Sequence, residues 1–137
     1  MKPPTFAPFF ACLYPGLCEV ARKHGYALAI HGTVTADLDL VAVPWTDQAI
    51  EGVELKDALM EHIGGCGYDD LLRRHGMSEA DVEKIMARKE SRQASGAETK
   101  PHGRLSWNLY LDAGAKVDLS VLPLHNVEVS DAKRSLD

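Results

Sequence analysis

Nothing in this chain approaches the roughly 20 consecutive apolar residues of a membrane-spanning helix, so the sequence predicts no such span. Cysteine is scarce: Cys12, Cys18 and Cys66 are odd in number and form no CxxC pair. That excludes a disulfide scaffold and a zinc ribbon, and predicts reduced thiols that fill the core of a cytoplasmic protein. Histidine is present, but never at HxH or HxxxH spacing, which removes the common zinc patterns. Positive charge is also short, with 15 Lys and Arg against 20 Asp and Glu for a net charge of −5. This balance argues against a protein that coats nucleic acid, while leaving room for one local basic patch. The apolar N-terminal residues Phe6, Phe9, Phe10, Ala11 and Leu13 imitate a secretory leader. They are interrupted by Pro3, Pro4, Pro8 and Pro15 and followed by no clear cleavage site, so none is predicted.

What is there suits one domain over residues 1–137, with 45% hydrophobic and 26% charged residues. Leu13, Leu17, Val20 and Ala21 have helical spacing, predicting a helix from Tyr14 to His24 with Pro15 in its first turn and Gly25 as its stop. Tyr26–Ile30 reads as a buried strand, 32–36 as a tight connection, and Asp37–Val43 as an antiparallel partner ended by Pro44. A helix follows around Val53–Ile63, closed by Gly64-Gly65; Tyr68, Leu71 and Leu72 in the next stretch suggest buried contact. Ser78, three residues before Asp81, marks another helix start, with Val82, Ile85 and Met86 as its stripe. Residues 87–103 are polar and poor in large apolar groups, the best stretch for a mobile loop. After them "RLSWNLYL" and "KVDLSVLP" alternate with a period of two around a turn at 112–114, and a tail expected to fray begins at His125. The predicted class is α+β: a small, mostly antiparallel or mixed sheet with helices packed on one face.

Three acids break the apolar pattern of these strands. Asp37 and Asp39 flank Leu38, and on a strand their carboxylates share one side, roughly 6.5–7 Å apart. At an effective dielectric near 20 that repulsion costs about 2.5 kcal/mol. Asp118, between Val117 and Leu119, repeats the oddity in the second hairpin. A hard divalent cation such as Mg²⁺ or Mn²⁺ takes oxygen ligands and offsets clustered negative charge, so a meeting of the three acids would be a metal site.

The combination of Gly32-Thr33, then Asp37-Leu38-Asp39, then Asp118 on a later strand resembles the nucleotidyltransferase superfamily, the DNA polymerase beta-like fold. The chain is also similar to small phage- and prophage-encoded proteins of that superfamily. The resemblance covers roughly residues 12–45 and 104–123. It implies that Asp37, Asp39 and Asp118 are catalytic and bind Mg²⁺ or Mn²⁺, with Asp118 also available as general base. Gly32 would let the backbone approach a phosphate and Thr33 would offer its hydroxyl to a nucleoside triphosphate, from which a nucleotidyl group passes to an acceptor. That acceptor, whether a host protein, an RNA or a small molecule, is not legible. Two departures stand out. Only three residues separate Thr33 from Asp37, where the family carries a short helical turn, and Thr33 stands where serine is usual.

Lys100, His102 and Arg104 lead into the strand that pairs with the Asp118 strand, and are expected at the acids' end of the sheet as cations for a triphosphate. A solvated basic loop is the plainer alternative. Likewise the DxD can be a wet strand edge, Gly32 a hairpin glycine, His31 a packed ring, and Trp45 and Trp107 packing residues. Two other functions stand beside the transferase. One is a non-catalytic phage-type module that engages a host protein or nucleotide; the other is a metal-dependent nuclease using the same acids. A phage origin would put the protein in the host cytoplasm.

Overall fold

The computed structural model describes residues 5–90 and 98–124. The first helix, α1, spans Ala7–Lys23 and starts a full turn and more before the expected Tyr14. Pro8 falls in its first turn, where no intrahelical N–H bond is needed. Pro15 sits inside, and burial of Phe10, Leu17 and Ala21 along one face outweighs the bond it removes. Arg22 and Lys23 close the last turn, next to its unpaired carbonyls.

The chain then reverses at Gly25, whose φ of +87° belongs to the left-handed region. A β-carbon there would lie 2.6 Å from the Ala49 α-carbon, so glycine is required on both counts. Strand β1, Tyr26–Ile30, pairs antiparallel with β2, Asp37–Pro44, from Tyr26 opposite Pro44 to Ile30 opposite Leu40. Helix α2, Gly52–Ile63, buries Leu55 and Leu59 one turn apart and stops where the Gly64 and Gly65 N–H groups donate back to the Glu61 and Met60 carbonyls.

Two further helices follow, α3 at Tyr68–Arg74 and α4 at Glu79–Glu90. The Ser78 hydroxyl caps α4, accepting the Asp81 N–H at 3.3 Å as its sequence position predicts. Arg73 of α3 donates to Glu79 of α4 at 2.8 Å; Val82 of α4 is buried, and Ile85 and Met86 are half-buried. The stretch expected as a loop over 87–103 is thus helix through Glu90, and it carries strand β3 at Glu98–Thr99 and a 3₁₀ turn at Pro101–Gly103. Residues 91–97 and the tail from 125, His125 included, lie outside the described residues.

Strands β4, Leu105–Tyr110, and β5, Lys116–Val121, form an antiparallel hairpin around a 3₁₀ turn at Asp112–Gly114. The sheet order is β1-β2-β5-β4-β3. Among the described residues one pair is parallel, β2 with β5 at the centre, and the connection between those two strands contains α2, α3 and α4 followed by β3 and β4. Among the described residues this is an α+β fold of four helices and a five-strand mixed, mostly antiparallel open sheet.

The period of two decides which face is sealed. Leu38, Leu40, Ala42, Trp107, Leu109, Val117, Leu119 and Val121 point to one side and share a continuous core with Phe10, Leu17, Leu55 and Leu59 of α1 and α2. Tyr26 joins that core at 2% exposure and donates its hydroxyl to the Ile50 carbonyl at 2.7 Å. Burial raises its pKa, with a smaller push from Glu51. Three small-scale expectations fail. Of β1, expected as a buried strand, only Tyr26 is buried and Ile30 is 42% exposed. Cys12 lies on the wet side of α1 instead of filling the core, and Trp45, just past β2, is 78% exposed. Both follow an element's end or outer stripe, where local apolar character has nothing to pack on. Trp107 is buried, as expected of a packing residue.

Candidate functional site on the open sheet face

The other side of the sheet carries the acids. Along β2, Asp37, Asp39, Val41 and Val43 are half-buried and alternate with the sealed residues. The parallel pairing sets Asp37 opposite Lys116, Asp39 opposite Asp118 and Val41 opposite Ser120. Neighbouring strands lie about 4.8 Å apart, so the carboxylates of Asp39 and Asp118 leave adjacent points of one surface. On the far side of β5, Asp118 faces Asn108 and Lys116 faces Tyr110. Two rows of side chains therefore cross the sheet: Asp39, Asp118, Asn108 in one, and Asp37, Lys116, Tyr110 in the next.

Each carboxylate has a protein partner. Ser106 donates its hydroxyl to Asp118 Oδ1 at 3.1 Å. Lys116 Nζ lies 3.7 Å from Asp37 Oδ2, with the two side chains 33% and 36% exposed. Asp39 Oδ2 accepts the backbone N–H of Thr33 at 3.1 Å. The turn holding that amide is built around Gly32, at φ +130°, where a β-carbon would come within 2.6 Å of the same Asp39 oxygen. Any side chain at Gly32 would displace the carboxylate or the turn. The His31 N–H, one residue past β1, donates to the Asp39 carbonyl at 3.0 Å and carries the ladder up to the turn.

The three residues that stand in place of a helical turn have their own fastening. The Thr33 hydroxyl accepts the Thr35 N–H at 3.1 Å, and the Thr35 carbonyl accepts the Phe6 N–H at 2.8 Å. Gly32 and Thr33 thus lie against the second acid of the DxD strand.

The basic segment does not. Arg104 precedes Leu105, which registers with Val121, three residues beyond Asp118 and so about 10 Å further along the strand. Asp37 lies the other way. Lys100, His102 and Arg104 are at the opposite end of the sheet from the one expected, because β4 runs antiparallel to β5 and enters from that end. Their local partners agree: Lys100 pairs with Glu98 at 2.9 Å, Arg104 Nε donates to the Pro101 carbonyl at 3.4 Å, and His102 is an exposed turn residue.

Among the described residues no group of three or more His, Cys, Asp or Glu side chains gathers around one point as metal ligands would. The close acid pair is Asp39 with Asp118, and Asp37 stands beside it facing a lysine. Ser106, Asn108 and Lys116 also belong to this surface; the alternation places each on the polar side of its strand but does not show that they meet the acids. A signal was present: "DLDL" of β2 and "KVDL" of β5 align residue for residue, and that alignment is the parallel register.

Tyr110 closes the surface on one side. Its ring tilts against Tyr68 of α3 at 5.8 Å between centroids, and its backbone exchanges hydrogen bonds with Cys66. Burial pushes its hydroxyl pKa up against the pull of Lys116, with Tyr68 and Asp37 adding to the rise.

An α+β domain with an acidic open face is the class these observations define. Comparison with known proteins adds nothing to it: no family model matches the chain, and neither a curated protein nor a solved structure is significantly similar. No helix among the described residues is long and apolar enough to cross a membrane.

Proposed function

We propose that the open face is a divalent-cation and nucleoside triphosphate site, and that the protein is a minimal nucleotidyltransferase-like enzyme. One observation carries the reading: Asp39 and Asp118 stand in direct parallel register on one face, with a glycine turn against the first of them. Two like charges on adjacent strands repel unless something offsets them. Their all-oxygen donor set suits one hard cation such as Mg²⁺ or Mn²⁺. A cation bound there would supply the positive charge that phosphoryl chemistry draws on.

The chain's own residues would act around it. Asp39 and Asp118 hold the charge, and Ser106 fixes the orientation of Asp118 through its hydroxyl. Gly32 keeps a side chain out of the approach to Asp39, leaving backbone where a phosphate would come close. Asp118 would take the proton from an attacking hydroxyl as pyrophosphate leaves. Lys100, His102 and Arg104 take no part, being at the far end of the sheet.

A second reading, a non-catalytic module that binds a host protein or nucleotide through the same face, is favoured by the turn. The Thr33 N–H is already committed to Asp39 and the Thr35 N–H to the Thr33 hydroxyl oxygen, which removes two backbone donors a phosphate cradle would use.

Thermal shift with Mn²⁺ and a nucleoside triphosphate tests the site. Stabilisation of the natural chain and none of the Asp39→Asn/Asp118→Asn double variant is expected. No stabilisation, or equal stabilisation of both, overturns the reading. Pyrophosphate release or labelling of an acceptor separates transferase from binding module.

A further inference from the structure

A strand at the edge of a sheet turns every second N–H and C=O outward, where another strand can pair with them unless something covers them. One edge of this sheet is β1. The Trp45 N–H donates to the Gly25 carbonyl at 2.9 Å, and the His31 N–H donates to the Asp39 carbonyl at 3.0 Å. Gly25, Ala27, Ala29 and His31 therefore bond toward β2, and His24, Tyr26, Leu28 and Ile30 turn their backbone groups outward. The strand itself, YALAI, carries none of the usual deterrents to pairing: it has no charge and no proline, and Ile30 is exposed.

Cover comes from elsewhere in the chain. The His24 carbonyl accepts the Ile50 N–H at 3.2 Å, which closes the start of the edge. At its middle, Tyr14 of α1 donates its hydroxyl to the Leu28 carbonyl at 2.9 Å, with the Cys18 thiol 3.9 Å from the same oxygen. The N–H of an added strand would stand at the distance the hydroxyl already occupies. The other side of the sheet is closed by backbone instead: β3 pairs with Leu105 and Ser106 of β4, and Cys66 bridges to Tyr110. Only at β1 is a side chain set where the next strand would run.

We infer that Tyr14 guards this edge, its hydroxyl on Leu28 keeping β1 from pairing antiparallel with β1 of a second copy of the chain. A second copy fits because the strand is complementary to itself. A two-fold pairing centred on Leu28 sets Tyr26 against Ile30 and Ala27 against Ala29, with no like charges opposed. That pairing needs the Leu28 carbonyl of each copy for the Leu28 N–H of the other, and the phenol would first have to give it up. The inference concerns β1 and does not depend on the cation and triphosphate reading of the open face.

Sedimentation velocity of the full chain over a concentration series tests it. Tyr14→Phe should dimerise about two- to tenfold more tightly than the natural chain, the worth of one hydrogen bond. Tyr14→Met also lacks the hydroxyl and is read in the same way. Tyr26→Phe loses a hydroxyl bond of the same kind, to the Ile50 carbonyl, and should sediment as the natural chain does. Adding Ala29→Lys to Tyr14→Phe places a charge on the exposed side of the edge and should return the natural behaviour. Circular dichroism establishes that each variant is folded. Folded Tyr14 variants that sediment as the natural chain overturn the inference. So does equal association of Tyr26→Phe, or association that survives Ala29→Lys.

Discussion

The two faces of β2 and β5 are made by alternate residues of the same two segments. On one side Leu38, Leu40, Val117 and Leu119 are fully sealed under α1 and α2. On the other Asp37, Asp39, Lys116 and Asp118 are half-buried. The sealed face carries the stability, since burying each large apolar side chain contributes about 1.5–3 kcal/mol. The open face spends some of it by collecting charge. Where a small domain places unlike demands on the two faces of one strand, the costly face is the candidate for function.

Substitutions on the two faces should therefore part company. Leu40→Ala opens a cavity under the helices and should cost about 2–5 kcal/mol in urea unfolding. Retention of full stability would mean that the sealed face is not the core. Gly32→Ala, on the open side, combines an unfavourable φ with a β-carbon driven onto Asp39, and should cost about 1–3 kcal/mol while abolishing the cation-dependent thermal shift. Tyr26→Phe should cost about 0.5–1.5 kcal/mol for the lost bond to Ile50.

Tyr26 also predicts a pH dependence. Its folded pKa lies above the ordinary 10.0, so folding favours the protonated phenol. That contribution is complete below the unfolded value and is lost as pH rises through the folded one. Unfolding titrations of Tyr26→Phe should therefore show a shallower alkaline limb than the natural chain; an unchanged limb would assign the loss to other groups. The smallest effect is expected at Asp118→Asn. Removing one of two facing charges at the cost of a weakened bond from Ser106 should leave stability within about 1 kcal/mol. A loss as large as that of Leu40→Ala would make Asp118 a structural residue and not a site residue.

The acids were legible because each interrupts an apolar alternation, and the helices because their stripes repeat every turn. Gly32 was legible as a turn glycine, though not its contact with the Asp39 carboxylate. What was not legible sat where distant strands meet. Lys100, His102 and Arg104 were expected beside the acids because they are near the Asp118 strand in pairing, and the antiparallel direction of β4 puts them at the other end. Lys116 and Ser106 look like ordinary wet-face residues until β5 is laid between β2 and β4.

The sequence alone determined the faces, because the alternation of side chains along a strand is a local property of the backbone. It determined the class of fold through the order and periods of its elements, and it singled out three misplaced carboxylates. Only the tertiary structure decided that β5 lies parallel to β2, and with that pairing that Asp118 meets Asp39 while Lys116 meets Asp37. Register between strands far apart in the chain is set by how the sealed residues pack together, an energy that no local window of the sequence contains.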